Sequence, residues 1–309
     1  MKKELFILAL VAAAPVGAGA QEPATLLSRV TNAYPAYSPD GSEIAYMSNA
    51  DGDFDIYVVV PDSGTRRKLT DAPDQDGQPV WSPDGTRIAF RSLRDGNSQI
   101  YVMNADGSHP VNLSRNGFVD EHPFWTPDGE RIIFASERPP SGGGTPNYDL
   151  FSMAADGSDV QRITDTPLVE TYPALSPDGS RIACRRILAN GDWEVVILDR
   201  EGRDVANVSN HEGIDGWPAW SPDGRRLVFA SERGGSSDLW LVDADGSNLE
   251  QLTRDPDFDE RQPWWLSDGS RIAYAQYVWF PEEPFYEASE ILEIEVAAVA
   301  GEPRAVKRR

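Results

Sequence analysis

Six polar side chains, five of them able to carry charge, recur at a near-regular interval. Three residues before a proline stand Asn32, Asp76, Asp120, Glu170, Asp215 and Glu260, and five of these six are carboxylates. Repeated around an axis, they would gather negative charge into a ring, a receptor for a cationic or donor-rich group of a partner. Carboxylate oxygens are also what Ca2+ prefers, so a Ca2+ ion on the axis is a second use of the same ring. The competing reading is structural. Arg94, Arg138 and Arg233 occupy equivalent positions further along each repeat and could pair with the acids inside it. The two readings are not exclusive. The residues directly before the prolines vary more: Tyr34, Gln78, His122, Tyr172, Trp217 and Gln262. Aromatic and imidazole groups at a mouth suit recognition of a protein or ligand. They also suit packing between neighbouring repeats.

Two connecting segments are longer than their equivalents. One is Arg138 to Gly144, with two prolines and three glycines, which reads as a lid or as slack. The other runs from Tyr277 to Glu290 and sets Trp279, Phe280, Phe285 and Tyr286 among Glu282, Glu283 and Glu287. An aromatic and acidic insertion is a pointer to a contact surface; the alternative is a self-packed loop over a seam. Signs of an enzyme are sparse. The chain has no Gly-x-Ser-x-Gly elbow, no His-Glu-x-x-His and no phosphate-cradling glycine loop. Its three histidines are His109, His122 and His211. No catalytic residue or metal ligand is singled out, and no cofactor is expected apart from the Ca2+ option. A carboxylate pair for glycoside chemistry could in principle come from the acid series. A carbohydrate-active or hydrolytic enzyme is therefore the alternative function, beside a non-catalytic glycan or small-ligand binder that would use Trp217, Tyr172 and Trp279 for stacking.

The elements that must position these residues repeat as a unit. Ser-Pro-Asp-Gly stands at Ser38, Ser82, Ser176 and Ser221, with variants Thr126 to Gly129 and Leu266 to Gly269. A proline and an aromatic two residues later lead into the turn at Pro79 and Trp81, Pro123 and Trp125, Pro218 and Trp220, and Pro263 and Trp265. The turn is followed by an apolar run such as Ile88-Ala89-Phe90, then a second such as Ile100-Tyr101-Val102, and a closing strand such as Asn112-Leu113-Ser114. Four short strands rich in β-branched and aromatic residues, separated by Pro, Asp and Gly, are the unit of a β-propeller blade. The expected fold is all-β: one six-bladed propeller of four-stranded antiparallel blades over residues 21–309. Its repeats fall near 34–70, 78–114, 122–164, 172–209, 217–253 and 262–300. Strand direction places the loops leading into each innermost strand on the same face as the loops between second and third strands. The strand closing the last blade comes either from Leu26 to Thr31 or from Glu302 to Val306.

Residues 1–20 read as an export signal: Lys2 and Lys3, an apolar stretch from Leu5 to Ala14, and a small-residue cleavage site at Ala18-Gly19-Ala20. No later segment approaches the length of a membrane span. The 50 acidic against 28 basic residues give a net charge of −22, which disfavours nucleic acid and anionic lipid as partners. The single Cys184 excludes an internal disulfide and a thiolate metal cluster. A periplasmic or secreted monomer is expected.

The Ser-Pro-Asp-Gly, Ile-Tyr-Val and Ala-Asp-Gly-Ser elements resemble the PD40 (WD40-like) repeats of the TolB family, over nearly all of residues 34–300. TolB carries a further N-terminal α/β domain that this resemblance does not include, so a role built on that domain is not implied. What the resemblance implies is a non-catalytic propeller that engages an envelope or secreted protein through its axial face. Oligogalacturonate lyases share such propellers, but are known for a histidine-rich metal site that His122 and His211 cannot reproduce. The resemblance also extends to the gating propeller of prolyl-oligopeptidase-type enzymes.

Overall fold

A computed structural model describes residues 30–279 and 287–296. The chain forms six antiparallel sheets in sequence order around one axis. Blade 1 comprises β1 (Asn32–Tyr37), β2 (Ile44–Ser48), β3 (Asp55–Val60) and β4 (Thr65–Lys68). Blade 2 has β5 (Asp76–Trp81), β6 (Arg87–Ser92), β7 (Gln99–Asn104) and β8 (Val111–Asn112). Blade 3 has β9 (Asp120–Trp125), β10 (Arg131–Ser136), β11 (Asp149–Ala154) and β12 (Gln161–Arg162). Blade 4 has β13 (Val169–Leu175), β14 (Arg181–Ile187), β15 (Trp193–Asp199) and β16 (Asp204–Asn207). Blade 5 has β17 (Asp215–Trp220), β18 (Arg226–Ser231), β19 (Asp238–Asp243) and β20 (Glu250–Gln251). Blade 6 shows β21 (Asp259–Trp265), β22 (Arg271–Trp279) and β23 (Glu287–Glu295). The protein is a six-bladed β-propeller.

Each Ser-Pro-Asp-Gly turn is held by its own side chains. In blade 1, Ser38 Oγ donates to Asp40 Oδ1 at 2.6 Å, and Asp40 Oδ1 accepts the Ser42 N–H at 3.0 Å. Glu43 N–H in turn donates to Ser38 Oγ at 3.0 Å. Gly41 takes φ 72°, a value that favours glycine. Thr126 and Asp128, and Ser176 and Asp178, repeat the first bond at 2.5 and 2.6 Å. Blades stack through apolar faces and a recurring indole bond. Trp81, Trp220 and Trp265 donate Nε1–H to the carbonyls of Ala36, Ala174 and Ala219 in the preceding blade, at 3.2, 3.1 and 3.3 Å. Phe90, Phe134 and Phe229 are fully buried at the blade centres. The closing residue of each outer strand ties back to the third strand: Thr70 Oγ1 accepts the Ile56 N–H at 3.0 Å and donates to Asp55 Oδ1 at 3.0 Å.

Blade 1 docks on blade 6. Val30 O accepts the Ser289 N–H at 3.2 Å, and Asn32 N–H donates to Ser289 Oγ at 3.0 Å. Thr31 bridges Ser289 in parallel, as Ile214 bridges Trp193 between blades 5 and 4. Thr31, expected in the closing strand, thus serves the junction between blades. The rest of that candidate, residues 26–29, and the other candidate, 302–306, lie outside the described residues, as do residues 1–20. The insertion at 277–290 is a loop only in part. Its two ends extend β22 and β23 into a hairpin whose last pair is Trp279 with Glu287. Phe280, Phe285 and Tyr286 lie outside the described residues. No helix among the described residues is long and apolar enough to cross a membrane.

Candidate functional site

The carboxylate series is buried rather than exposed at the mouth. Asp76, Asp120, Glu170 and Glu260 are fully buried, and Asp215 is 1% exposed. Asp76 takes Arg94 at 2.7 Å, Asp120 takes Arg138 at 3.5 Å, and Asp215 takes Arg233 at 3.1 Å. Glu170 takes Arg186 at 2.7 Å. Glu260 accepts from Thr253 Oγ1 at 2.9 Å and from Gln276 Nε2 at 3.0 Å. The carboxylates of the expected ring are therefore clasps inside blades 2 to 6, four of them ion-paired and Glu260 held by neutral donors, all closed to solvent and offering no surface to a partner. Among the described residues, no three His, Cys, Asp or Glu side chains group as a metal site. The Ca2+ option thus has no cluster of ligands behind it there.

Two residues further on, the series before the prolines does reach the axis. Tyr34, Gln78, His122, Tyr172, Trp217 and Gln262 all have φ between 53° and 56°. A left-handed backbone at a non-glycine residue is uncommon and costs energy, and here it coincides with a register break in every inner strand, such as Gly77 to Val80. Such bulges re-aim side chains. Tyr34 and Tyr172, from opposite blades, stack at 6.4 Å between ring centres with their hydroxyls 3.1 Å apart. Phe124 and Trp264, also from opposite blades, meet at 5.6 Å. These rings leave only about 90 Å3 free on the axis. The two glutamines are stitches: Gln78 Oε1 accepts the His122 N–H at 2.8 Å, and Gln262 Oε1 the Tyr34 N–H at 3.0 Å.

Beside this plug opens a cleft of about 570 Å3, between blades 2, 3 and 4 on the face of the lead-in loops. His122 and Tyr172 form its floor, and the long loop of blade 3 contributes Pro146, Asn147 and Tyr148 to its wall. Sequence reasoning did not single out its charged groups, Arg91, Glu121, Glu137 and Arg185. A signal for them exists. The second-strand position that holds Arg91 and Arg185 holds Met47, Ala135, Ala230 and Ala275 in the other blades. Alanine in blade 3, between two arginine blades, makes the room.

Arg91 Nη1 lies 3.4 Å from Glu121 Oε1, and Ser98 Oγ donates to the same oxygen at 3.4 Å. Arg185 stands on the faces of Trp193 at 4.3 Å and Tyr172 at 4.5 Å, and it donates Nε–H to Thr171 Oγ1 at 3.0 Å. Burial lowers its pKa, against the pull of the tyrosines and Glu121. His122 is buried against the Tyr172 ring, 3.7 Å between centres. Among the described residues its Nδ1 has no hydrogen-bond partner. Burial, then the charges of Arg185 and Arg91, push its pKa well down, so the imidazole is neutral. Trp217 Nε1 is likewise buried without a partner.

A closed ring of six bladed sheets defines the class of the fold, a β-propeller, with a polar cleft at its mouth. The family model of the TolB beta propeller domain matches residues 18–186 and 140–277, and the chain belongs to that family. TolB from Acinetobacter baumannii is similar at 27% identity and TM-score 0.66, over 77% of this chain and 58% of that one. This chain thus spans little more than half the length of that relative. A putative TolB from Agrobacterium tumefaciens is similar at 21% identity and TM-score 0.65, over 84% and 89% of the two chains. An oligogalacturonate lyase in complex with manganese shares the fold at 16% identity and TM-score 0.57, over 81% and 76%. No curated protein sequence matches the chain.

Proposed function

We propose that this protein is an exported, non-catalytic scaffold that captures a segment of an envelope or secreted protein at the axial mouth, on the face of the lead-in loops. The observation that carries the reading is the cleft between blades 2, 3 and 4. It is open, lined by Tyr148 and Tyr172, and carries charges of both signs. That combination suits a polypeptide better than a single small substrate, because a chain presents alternating apolar and charged groups to a mixed surface. His122, Tyr172 and Trp217 are its contact residues from the sequence series, and Arg91, Glu137 and Arg185 join them. The twenty-residue leader supports export, to the periplasm in an organism with two membranes. The enzyme alternative draws on a carboxylate pair from the acid series, whose members are buried, and on a likeness of fold to enzymes such as the lyase.

The test is retention from envelope extract by immobilised protein, with cross-links mapped by mass spectrometry. The expected result is one protein retained by the wild type, cross-linked around residues 91–187, and lost with Arg91→Ala combined with Glu137→Ala. Retention that survives this pair of changes, with cross-links on the opposite face, would sink the reading.

A further inference from the structure

Seven arginines on the second strands and the loops just after them have a carboxylate, and the two that line the cleft differ in this. Arg94, Arg138, Arg186 and Arg233 have their buried acids, and Arg91 has Glu121. Arg131 has Asp159 and Arg271 has Glu293. Arg185 is half-buried in the cleft and makes no ion pair among the described residues, although the chain carries 50 acidic residues. Its side chain is nevertheless built into place. Trp193 and Tyr172 hold the guanidinium face, Thr171 fixes Nε, and Gly216 of the next blade leaves space, since a Cβ there would stand 3.1 Å from Arg185 Cδ. An arginine held in one pose between aromatic rings, without a counter-charge, is a pre-organised fork for an anion. The unpartnered His122 Nδ1 lines the same cleft.

We infer that Arg185 is the anchor of a carboxylate-binding subsite, and that the segment captured in the cleft presents a carboxylate to it. This rests on the scaffold reading above and names the chemistry of the partner at that site. A carboxylate fits better than a phosphate for two reasons. One uncommitted guanidinium matches one negative charge, and the carboxylates of Glu121 and Glu137 in the same cleft oppose a dianion. Planar carboxylate oxygens also match the fork in pairs, with His122 able to donate as the Nδ1–H tautomer. The carboxylate comes either from an Asp or Glu side chain or from the end of the partner chain.

Three pentapeptides of glycine and alanine separate these sources. The first has a central glutamate and both ends blocked, the second a central glutamine and both ends blocked, and the third a central glutamine and a free carboxyl end. The readout is the arginine Nε–H resonances of nitrogen-labelled protein, titrated to millimolar peptide. The Arg185 resonance is expected to shift saturably with the first peptide, the third, or both, and not with the second. Arg185→Met should weaken the bound peptide about tenfold to a hundredfold, and Arg185→Lys less, because lysine keeps the charge and loses the fork. Equal response to all three peptides, no response to any, or unchanged affinity in Arg185→Met overturns the subsite. Retention of the envelope protein by folded Arg185→Met at wild-type level removes the subsite and leaves the scaffold. Peptide binding with no protein retained by the wild type removes the scaffold and leaves the subsite.

Discussion

Arg185 and Arg186 are consecutive residues of β14, and a strand sends consecutive side chains to opposite faces. Arg186 turns into the blade, is 7% exposed, and meets Glu170 at 2.7 Å and Asp204 at 2.8 Å. Arg185 turns to the cleft and meets aromatic rings and no acid. The same contrast separates the two series on the inner strands. The carboxylates at Asp76, Asp120, Glu170, Asp215 and Glu260 are near-uniform and buried, the first four of them ion-paired. The residues two places on are chemically diverse and reach the axis. Uniformity among internal repeats marks what every blade needs for its own stability. Departure from uniformity marks where one sector of the ring does something the others do not.

The contrast can be broken most forcefully at a buried clasp. Asp215→Ala leaves Arg233, itself 8% exposed, without its acid. Removing one partner of a buried pair costs about 3–5 kcal/mol. Urea unfolding should show this loss, whereas Arg185→Met, which breaks no ion pair and keeps an apolar stem against Trp193 and Tyr172, should lose about 1 kcal/mol. Equal losses in the two variants would erase the distinction between clasp and anchor.

The stitches between blades come next. Gln78→Leu strands the His122 N–H, and an orphaned buried donor costs about 1–3 kcal/mol. The same unfolding experiment reads it, and a change near zero would mean that water replaces the glutamine.

The smallest effect concerns the turn face. Ser176 and the Ser180 N–H hold the Asp178 carboxyl down to about 2 from its ordinary 3.8. A depressed carboxyl contributes stability above its unfolded value, and that contribution is lost as pH falls from about 4 towards 2. Asp40, Asp84, Asp128, Asp223 and Asp268 are shifted the same way, first by a Ser or Thr hydroxyl. The melting temperature should therefore drop across that window, and Asp178→Asn should lower it at pH 6 while flattening the slope. A steeper acid slope in the variant would contradict this assignment.

The turn chemistry was legible because it is local. Ser38, Asp40 and Gly41 need only each other, so four letters suffice to read the motif. The pairing of Asp76 with Arg94 was legible as one of two readings, since both residues sit in one repeat. The cleft was not legible. Arg91, Glu121 and Arg185 belong to three blades, and nothing local says that they converge. Nor does a residue such as Tyr34 or His122 announce a left-handed backbone, which glycine would have signalled.

From the sequence alone follow the six repeats, their four strands, the turns on one face and the variable series on the other. These rest on spacing and on contacts within about 45 residues, which local periodicity encodes. Tertiary structure decided which of two neighbouring series reaches the axis, because that depends on a bulge in each inner strand. It also decided that of the two arginines in the cleft Arg91 meets an acid and Arg185 does not, because only the closed ring sets which blades face each other across a cleft.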